Sequence, residues 1–273
     1  MDHPGNPPMA LDPNGTAAFD LALQVERFYA ALMQASAAGS NSEPGLGGKL
    51  LYAGELDADG RALVVAANIA GAASLGATAE QAAQKQAVRD GVADFLVTSL
   101  DEALRILKNE IRKRQPVAVC VAASPQAVER KMLERGVLPD LLRPGAAAAP
   151  EYAAFLSRGA RQIQFSSLKE NPALLAWSVA AAPAQWLPKL DAIALDCLAP
   201  EQEAARRWLR LAPRYLGRLA QGLRLLRCKD QTAQKFLQQV RDQVEHGKIG
   251  VSVQIRLTTP AHTKQHLFSP PTR

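Results

Sequence analysis

The feature that most constrains the fold is an alternation of short apolar runs with helix-like runs between residues 48 and 142. The apolar runs are residues 50–53, 94–97 and 117–122, and the helix-like runs are residues 61–75, 100–114 and 126–135. This alternation is typical of βαβ units, which build a parallel sheet with helices on its faces. The run at 117–122 has no polar residue, as expected of a strand that is buried on both faces. The sequence therefore predicts an α/β fold.

Local signals support the helices. Ser99 can cap the second helix, and Glu102 follows at the spacing of a capping box. Ser124 and Pro125 are a start signal for the third helix, because proline is favoured at the first helical position. Gly136 is a stop signal for that helix.

Three stretches of this region resemble the central Rossmann-like domain of the urocanase (urocanate hydratase) family. They are AGAASL at 70–75, SLDEAL at 99–104 and ERGVLPDLL at 134–142. The resemblance implies a Rossmann-like parallel sheet flanked by helices. It also implies a lyase of histidine degradation, which converts urocanate to imidazolonepropionate with tightly bound NAD. A shared fold does not by itself establish a shared activity, so the site has to decide.

The chain is predicted to have four parts. Residues 1–47 are a tail, one helix (16–38) and a Gly/Ser linker, and residues 48–145 are the Rossmann-like domain. Residues 150–257 resemble a shortened C-terminal α/β part of the family, because Trp177, RWL at 207–209, QGLRLLRC and HGKIGVSVQI follow the family order. Residues 258–273 are a polar, Pro-rich tail. The resemblance implies about half the family length, without its N-terminal block and most of the stretch between Pro150 and Phe165.

The C-terminal part is predicted to be a smaller mixture of helices and strands. The helices are residues 151–158, a segment from Asn171-Pro172 through Trp177, residues 200–211 and residues 232–246. The strands are residues 162–165, 223–228 and 250–257. Pro213 is expected to break or kink the helix before it.

The resemblance places NAD at the turn after the first strand, where the family is rich in glycine. Glycines let the backbone N–H groups at a helix N-terminus approach a pyrophosphate. Here Gly54 and Gly60 remain, and Ser124 matches a polar family residue while also being a natural helix cap. These three residues are the candidate cofactor contacts. Three carboxylates, however, lie in the same turn and oppose a phosphate: Glu55, Asp57 and Asp59.

Other positions depart from the family pattern. Thr78 stands where an acidic residue should hold the ribose, and Glu80 is a weak substitute. Alanines at 146–149 replace polar residues that include a histidine touching the cofactor. The family's active-site cysteine should fall at 166–172, which reads SSLKENP. No catalytic residue can therefore be assigned.

Composition excludes several classes of site and location. Cys120, Cys197 and Cys228 are far apart and lack CxxC spacing, which argues against disulfides or a zinc site. Cys120 is expected in the core, and a reactive thiol at Cys228 is a minor alternative. No metal is expected. The sequence has no secretory signal and no apolar run of membrane-spanning length, so a cytoplasmic location is expected.

Two segments are rich in basic residues: Arg206, Arg207, Arg210, Arg214, Arg218, Arg224 and Arg227, and Arg105, Lys108, Arg112, Lys113 and Arg114. One interpretation is two solvated helix faces. The other is an anion-binding surface, with Arg207, Arg210 and Arg214 as candidates. The net charge of +6 permits an anionic ligand without requiring nucleic acid. The glycines at 45–48 resemble a phosphate loop only superficially, because they precede a strand.

Three functional hypotheses follow. The first is a divergent, non-catalytic urocanase homologue with a binding role, as a homo-oligomer or beside a full-length urocanase or another histidine-degradation enzyme. The second is an NAD-dependent urocanate hydratase that acts with another chain. The third is an anion- or nucleic-acid-binding module.

Overall fold

A computed structural model describes residues 13–37, 45–145, 150–165 and 172–271, and two sheets form its framework. The predicted N-terminal tail before residue 13 and the linker at 39–44 lie outside the described residues. The first sheet is wholly parallel, with strand order β3-β4-β2-β1-β5-β6. Its strands are β1 (Leu50–Glu55), β2 (Ala73–Ala77), β3 (Phe95–Val97), β4 (Val117–Val121), β5 (Leu141–Leu142) and β6 (Arg161–Gln162). The predicted fold class is confirmed.

The remaining elements cover the first sheet and build a second one. The helices are α1 (Pro13–Ala37), α2 (Ala58–Ala70), α3 (Gln81–Arg89), α4 (Leu100–Lys113), α5 (Pro125–Glu134), α6 (Pro150–Ser157), α7 (Pro183–Cys197), α8 (Glu203–Leu216) and α9 (Asp230–Glu245). The second sheet is antiparallel, with order β10-β9-β7-β8. Its strands are β7 (Ala173–Val179), β8 (Leu223–Cys228), β9 (Val253–Thr258) and β10 (Thr263–Phe268).

The chain reverses direction across the first sheet next to β1. It runs from β1 through β2 to β3 and β4 on one side, and then returns to β5 on the other side of β1. The carboxyl ends of β1 and β5 therefore flank a topological switch point, where parallel α/β sheets form their ligand crevices.

The local helix signals behave as predicted. Ser99 accepts a hydrogen bond from Glu102 N at 3.3 Å, and Ser124 accepts one from Ala127 N at 3.3 Å. Pro125 is the first residue of α5, and Gly136 lies just beyond its end with φ +65°. These signals depend on neighbouring residues alone, so a sequence can reveal them.

One helix of the first domain was predicted too long. The interval 61–75 contains the end of α2 at Ala70 and then the first residues of β2. Gly71 has φ +93° and donates to Ala67 O and Asn68 O, so it ends the helix in a left-handed turn. The alanines on both sides continue a helical composition, which hid the change. The short helix α3 was also missed.

The C-terminal part differs from the prediction in several elements, and the helix α7 was not predicted. The predicted helix through Trp177 is the central strand β7, whose buried Leu175, Ala176 and Trp177 give no period-two alternation. Pro213 lies inside α8 without ending it. The segment predicted to be a tail contains β10, which pairs with β9.

Candidate functional site

The switch point is the candidate site, because the turn after β1 and the residue after β5 meet there. Gly54 and Gly60 bracket the turn from β1 into α2, and Arg143 directly follows β5. The described structure thus brings two of the predicted cofactor residues to one crevice. Ser124 lies at the same edge of the sheet, after β4, which is two strands from β1.

The N-terminus of α2 already holds a carboxylate of the chain itself. Asp57 is the N-cap residue, and its Oδ1 accepts a hydrogen bond from Gly60 N at 2.8 Å. A dinucleotide pyrophosphate occupies this end of the helix in Rossmann folds, because the free N–H groups and the helix dipole attract anions. The capping carboxylate therefore takes a position that a phosphate would use.

Arg143 completes an ion cluster over this turn. Its guanidinium lies 2.9 Å from Asp57 Oδ1 and 3.5 Å from Asp59 Oδ2, and it donates to the backbone oxygen of Glu55 at 3.1 Å. The Arg143 side chain is only 16% exposed. The cation thus neutralises the two aspartates from the opposite side of the crevice. These residues do not fit a pyrophosphate, which would have to displace one carboxylate and lie against another.

The two candidate glycines have close neighbours within the protein. Gly54 has φ +69°, and a Cβ there would lie 3.3 Å from the hydroxyl of Tyr152. A Cβ on Gly60 would lie 1.9 Å from Glu55 O. Both glycines therefore have a packing reason to be present, whatever ligand the crevice takes. Their assignment as cofactor contacts stays a prediction.

A buried polar cluster lies beneath the same crevice. The hydroxyl of Tyr52 donates to Glu129 Oε1 at 3.0 Å, and the Tyr152 ring stands 6.1 Å from the Tyr52 ring. Burial raises the pKa of Glu129, and burial likewise raises the pKa values of both tyrosines above their ordinary value. The two hydroxyls therefore remain protonated at neutral pH and act only as neutral hydrogen-bonding groups.

The remaining predicted contacts serve local structure. Thr78 is 1% exposed, and its hydroxyl accepts from Glu80 N at 3.3 Å. Glu80 is exposed at the N-cap position of α3 and makes no side-chain capping bond. Ser124 uses its hydroxyl to cap α5. The alanines at 146–149 and the stretch 166–171, where the family cysteine should lie, are outside the described residues.

The cysteines show no activated thiol in the described ranges. All three are buried and unpaired. Burial, with Asp230 nearby, raises the pKa of Cys228 to about 12, and burial raises the pKa of Cys120 to about 11. Cys120 is a core residue as predicted, and the alternative of a reactive Cys228 is wrong, because a buried protonated thiol is a poor nucleophile. Within the described ranges, no cluster of three or more His, Cys, Asp or Glu is arranged to hold a metal ion.

Most arginines of the basic C-terminal segment make internal bonds. Arg206 donates to Leu195 O and Leu198 O, and Arg218 donates to Arg89 O. Arg224 pairs with Asp191, and Arg227 pairs with Glu26. Of the three anion candidates, Arg207 is half-buried and donates to Ile69 O, whereas Arg210 and Arg214 are exposed.

Sequence reasoning missed Arg143 and Tyr152. Arg143 directly follows β5, and residues that follow the strands of a parallel sheet often lie at its ligand crevice. That position was the signal that could have identified Arg143. Proline and glycine follow Arg143 directly, and they drew attention to the end of the predicted domain at residue 145 instead of to the arginine. Tyr152 lies on α6, which the sequence did identify as a helix.

The strand order, the parallel sheet and the crevice at its switch point define a Rossmann-like α/β protein. A family model described as the urocanase Rossmann-like domain matches residues 26–180, which is more than half of the chain. The chain therefore belongs to the urocanase family. The match runs from within α1 to the end of β7 and confirms the resemblance.

Within the described ranges, none of the helices combines the length and apolarity that crossing a bilayer requires.

The capping role of Asp57 leads to a stability prediction. Asp57→Ala removes the side-chain acceptor for Gly60 N and should lower the free energy of unfolding by about 1 kcal/mol. Asp57→Asn keeps an acceptor and loses only the charge of a half-exposed carboxylate, so its loss should stay below about 1 kcal/mol. Urea unfolding measures both variants.

The matched control for this pair is Glu80→Ala at the start of α3. Glu80 occupies the equivalent N-cap position without a side-chain capping bond. Its replacement should change stability by less than about 0.5 kcal/mol. A loss at Asp57→Ala no larger than this control would show that the carboxylate does not hold the N-terminus of α2.

Proposed function

We propose that this chain is a non-catalytic member of the urocanase family whose Rossmann-like domain no longer binds NAD at the switch point. The observation that carries the proposal is the cluster of Asp57, Asp59 and Arg143 at the N-terminus of α2. The chain supplies both the anion and the cation of this crevice. Binding a pyrophosphate there would require displacing the Asp57 carboxylate from Gly60 N and bringing a second anion next to Asp59.

The sequence supports the same proposal at a second place. No cysteine occurs between Cys120 and Cys197, where the family resemblance puts the active-site cysteine. The fold, by contrast, keeps its cap residues and its packed core. Loss of site residues with retention of packing residues is what we expect when selection maintains the domain for binding.

The test is cofactor content combined with turnover. The purified chain is denatured, its supernatant is assayed for NAD by mass spectrometry, and the same preparation is assayed with urocanate. We expect far less than one NAD per chain and no turnover, even with added NAD. NAD near one per chain would overturn the proposal and favour the alternative of a urocanate hydratase that acts with another chain.

The binding role that we propose is association with another protein in the cytoplasm, namely a full-length urocanase, another histidine-degradation enzyme or a second copy of the chain. The free edge of the first sheet supports a protein partner, because β3 exposes Phe95 by 47% and Leu96 by 42%. Co-purification of a tagged chain with such an enzyme would support this role. A chain that stays monomeric and retains none of these enzymes would count against it.

A further inference from the structure

The opposite, amino-terminal edge of the first sheet brings the two basic segments of the sequence together. There α4 and α8 flank two adjoining cavities, both of which contact Pro116 just before β4. Arg114, at the end of α4, and Arg207, on α8, line the smaller cavity. Arg105, on α4, and Arg214, on α8, line the larger one. Segments about ninety residues apart in the chain thus contribute to one cleft between α4 and α8.

The smaller cavity has a volume of about 280 Å³ and is walled largely by backbone. Gly45 and Gly71 have φ +115° and +93°, and Gly47 completes the wall. A Cβ on Gly71 would lie 2.6 Å from Arg207 Nη2, and one on Gly45 would lie 3.4 Å from Nη1. Because Gly45 and Gly71 have no side chains, there is space for the guanidinium of Arg207 beside them.

The guanidinium of Arg207 is held in place and keeps donors to spare. Its Nε donates to Ile69 O at 2.7 Å, which offsets the negative end of α2. Neither Nη atom has a hydrogen-bond partner among the residues that the structure describes. A fixed guanidinium with unused fork donors in a polar cavity suits a phosphate or carboxylate oxygen.

The larger cavity adds an apolar surface beside this cation. It is an open cleft of about 840 Å³, lined in part by Phe95, Ile106 and Tyr215. Its two acidic residues are already engaged. Asp94 accepts from Ala118 N at 2.8 Å, and Glu110 accepts from Lys113 Nζ at 2.9 Å. The cleft thus offers the half-exposed ring of Phe95 together with the cationic side chains of Arg105 and Arg214, and the Arg214 guanidinium lies 5.4 Å from the centroid of the Tyr215 ring.

We propose that this cleft binds a phosphate-bearing small molecule with a flat aromatic part, which is the chemistry of a nucleotide. Its phosphate would contact Arg207 in the smaller cavity. Its aromatic ring would pack on Phe95 in the larger one, beside the guanidinium of Arg214, which lies over the Tyr215 ring. A backbone-walled phosphate position between α4 and α8 favours a small molecule over a long nucleic acid, which needs an extended track of charges. This site is separate from the switch point and shares only Phe95 with the free edge of β3, so it goes beyond the proposed function.

The test is titration of the whole chain with ADP by calorimetry. We expect binding to the wild-type chain, and Arg207→Ala and Phe95→Ala should each weaken it by about 10-fold or more, as loss of one charged hydrogen bond or one stacking contact does. Phe95→Ala guards against a folding artefact, because the Phe95 ring is largely exposed and Arg207 also bonds to Ile69 O. The matched control is Arg210→Ala, which removes an exposed arginine of α8 that contacts neither cavity. Its affinity should stay within about 2-fold of wild type.

Three outcomes would overturn the proposal. One is the absence of ADP binding by the wild-type chain. Another is a loss of ADP affinity in Arg210→Ala equal to that in Arg207→Ala, combined with tighter binding of longer single-stranded DNA. That result would indicate a general basic surface. The third is ADP binding that Asp57→Ala changes and Phe95→Ala does not, because that result would place the nucleotide at the switch point.

Discussion

Replacing Arg227 with Met while Glu26 remains is expected to lower the free energy of unfolding by about 3–4 kcal/mol. Arg227 Nε lies 2.8 and 2.9 Å from the two carboxylate oxygens of Glu26, and its Nη2 donates as well. The side chain of Glu26 is only 5% exposed. Without the arginine, the protein must either bury an unpaired carboxylate or protonate it, and both cost stability. The bond to Glu26 also raises the pKa of Arg227, so the arginine stays charged at all ordinary pH values.

Urea unfolding at neutral pH tests this expectation, with two comparisons. The double variant Glu26→Leu/Arg227→Met removes both charges and should recover most of the loss, because two apolar side chains of similar size need no partner. Arg210→Met, on the exposed face of α8, should change stability by less than about 0.5 kcal/mol. If the single variant lost no more stability than this control, water would have to reach Glu26 and the ion pair would contribute little to the free energy of unfolding.

The pair matters because it joins distant parts of the chain. Glu26 lies on α1 and Arg227 lies on β8 of the second sheet, 201 residues away. The same helix α1 also packs on α2, and α2 packs on α8. The N-terminal helix thus connects the Rossmann-like sheet to the antiparallel sheet. We expect the single variant to unfold both sheets together, which far-UV circular dichroism and tryptophan fluorescence can follow in parallel.

The sequence predicted the features that neighbouring residues determine. Ser99, Ser124 and Gly136 act within one helical turn, and the buried strand β4 shows its identity by composition alone. The sequence failed where tertiary packing decides. Residues 73–77 form a strand that is buried at every position, and residues 173–179 form a strand with three successive buried residues, so no alternation marks either of them.

The candidate site shows the same division. The positions of Gly54 and Gly60 followed from the βα pattern, and the carboxylates beside them were visible as charges. Their neutralisation by Arg143 was not visible, because it depends on β5 lying next to β1. The internal bonds of Arg206, Arg224 and Arg227 were hidden for the same reason. A count of arginines therefore overstated the exposed charge of that segment.

The second large effect is expected at Gly60. Gly60→Ala should lower the free energy of unfolding by about 3 kcal/mol, since the new Cβ would lie 1.9 Å from the carbonyl oxygen of Glu55. Helix propensity alone predicts the opposite sign, a gain of about 1 kcal/mol for Gly to Ala within a helix. The backbone oxygen belongs to the end of β1 and cannot rotate away as a flexible side chain could. The turn between β1 and α2 would have to open.

Gly250→Ala is the matched control for this variant. Gly250 also lacks a positive φ, and a Cβ there would meet Trp186 at an ordinary 3.7 Å, so its replacement should change stability by less than about 0.5 kcal/mol. Urea unfolding of both variants separates two roles for Gly60. A packing role predicts the large loss in the absence of any ligand. A role confined to cofactor contact predicts normal stability with weakened NAD binding. Normal stability of Gly60→Ala would therefore mean that β1 and α2 are less tightly joined than the structure has them, and that a pyrophosphate has room to enter.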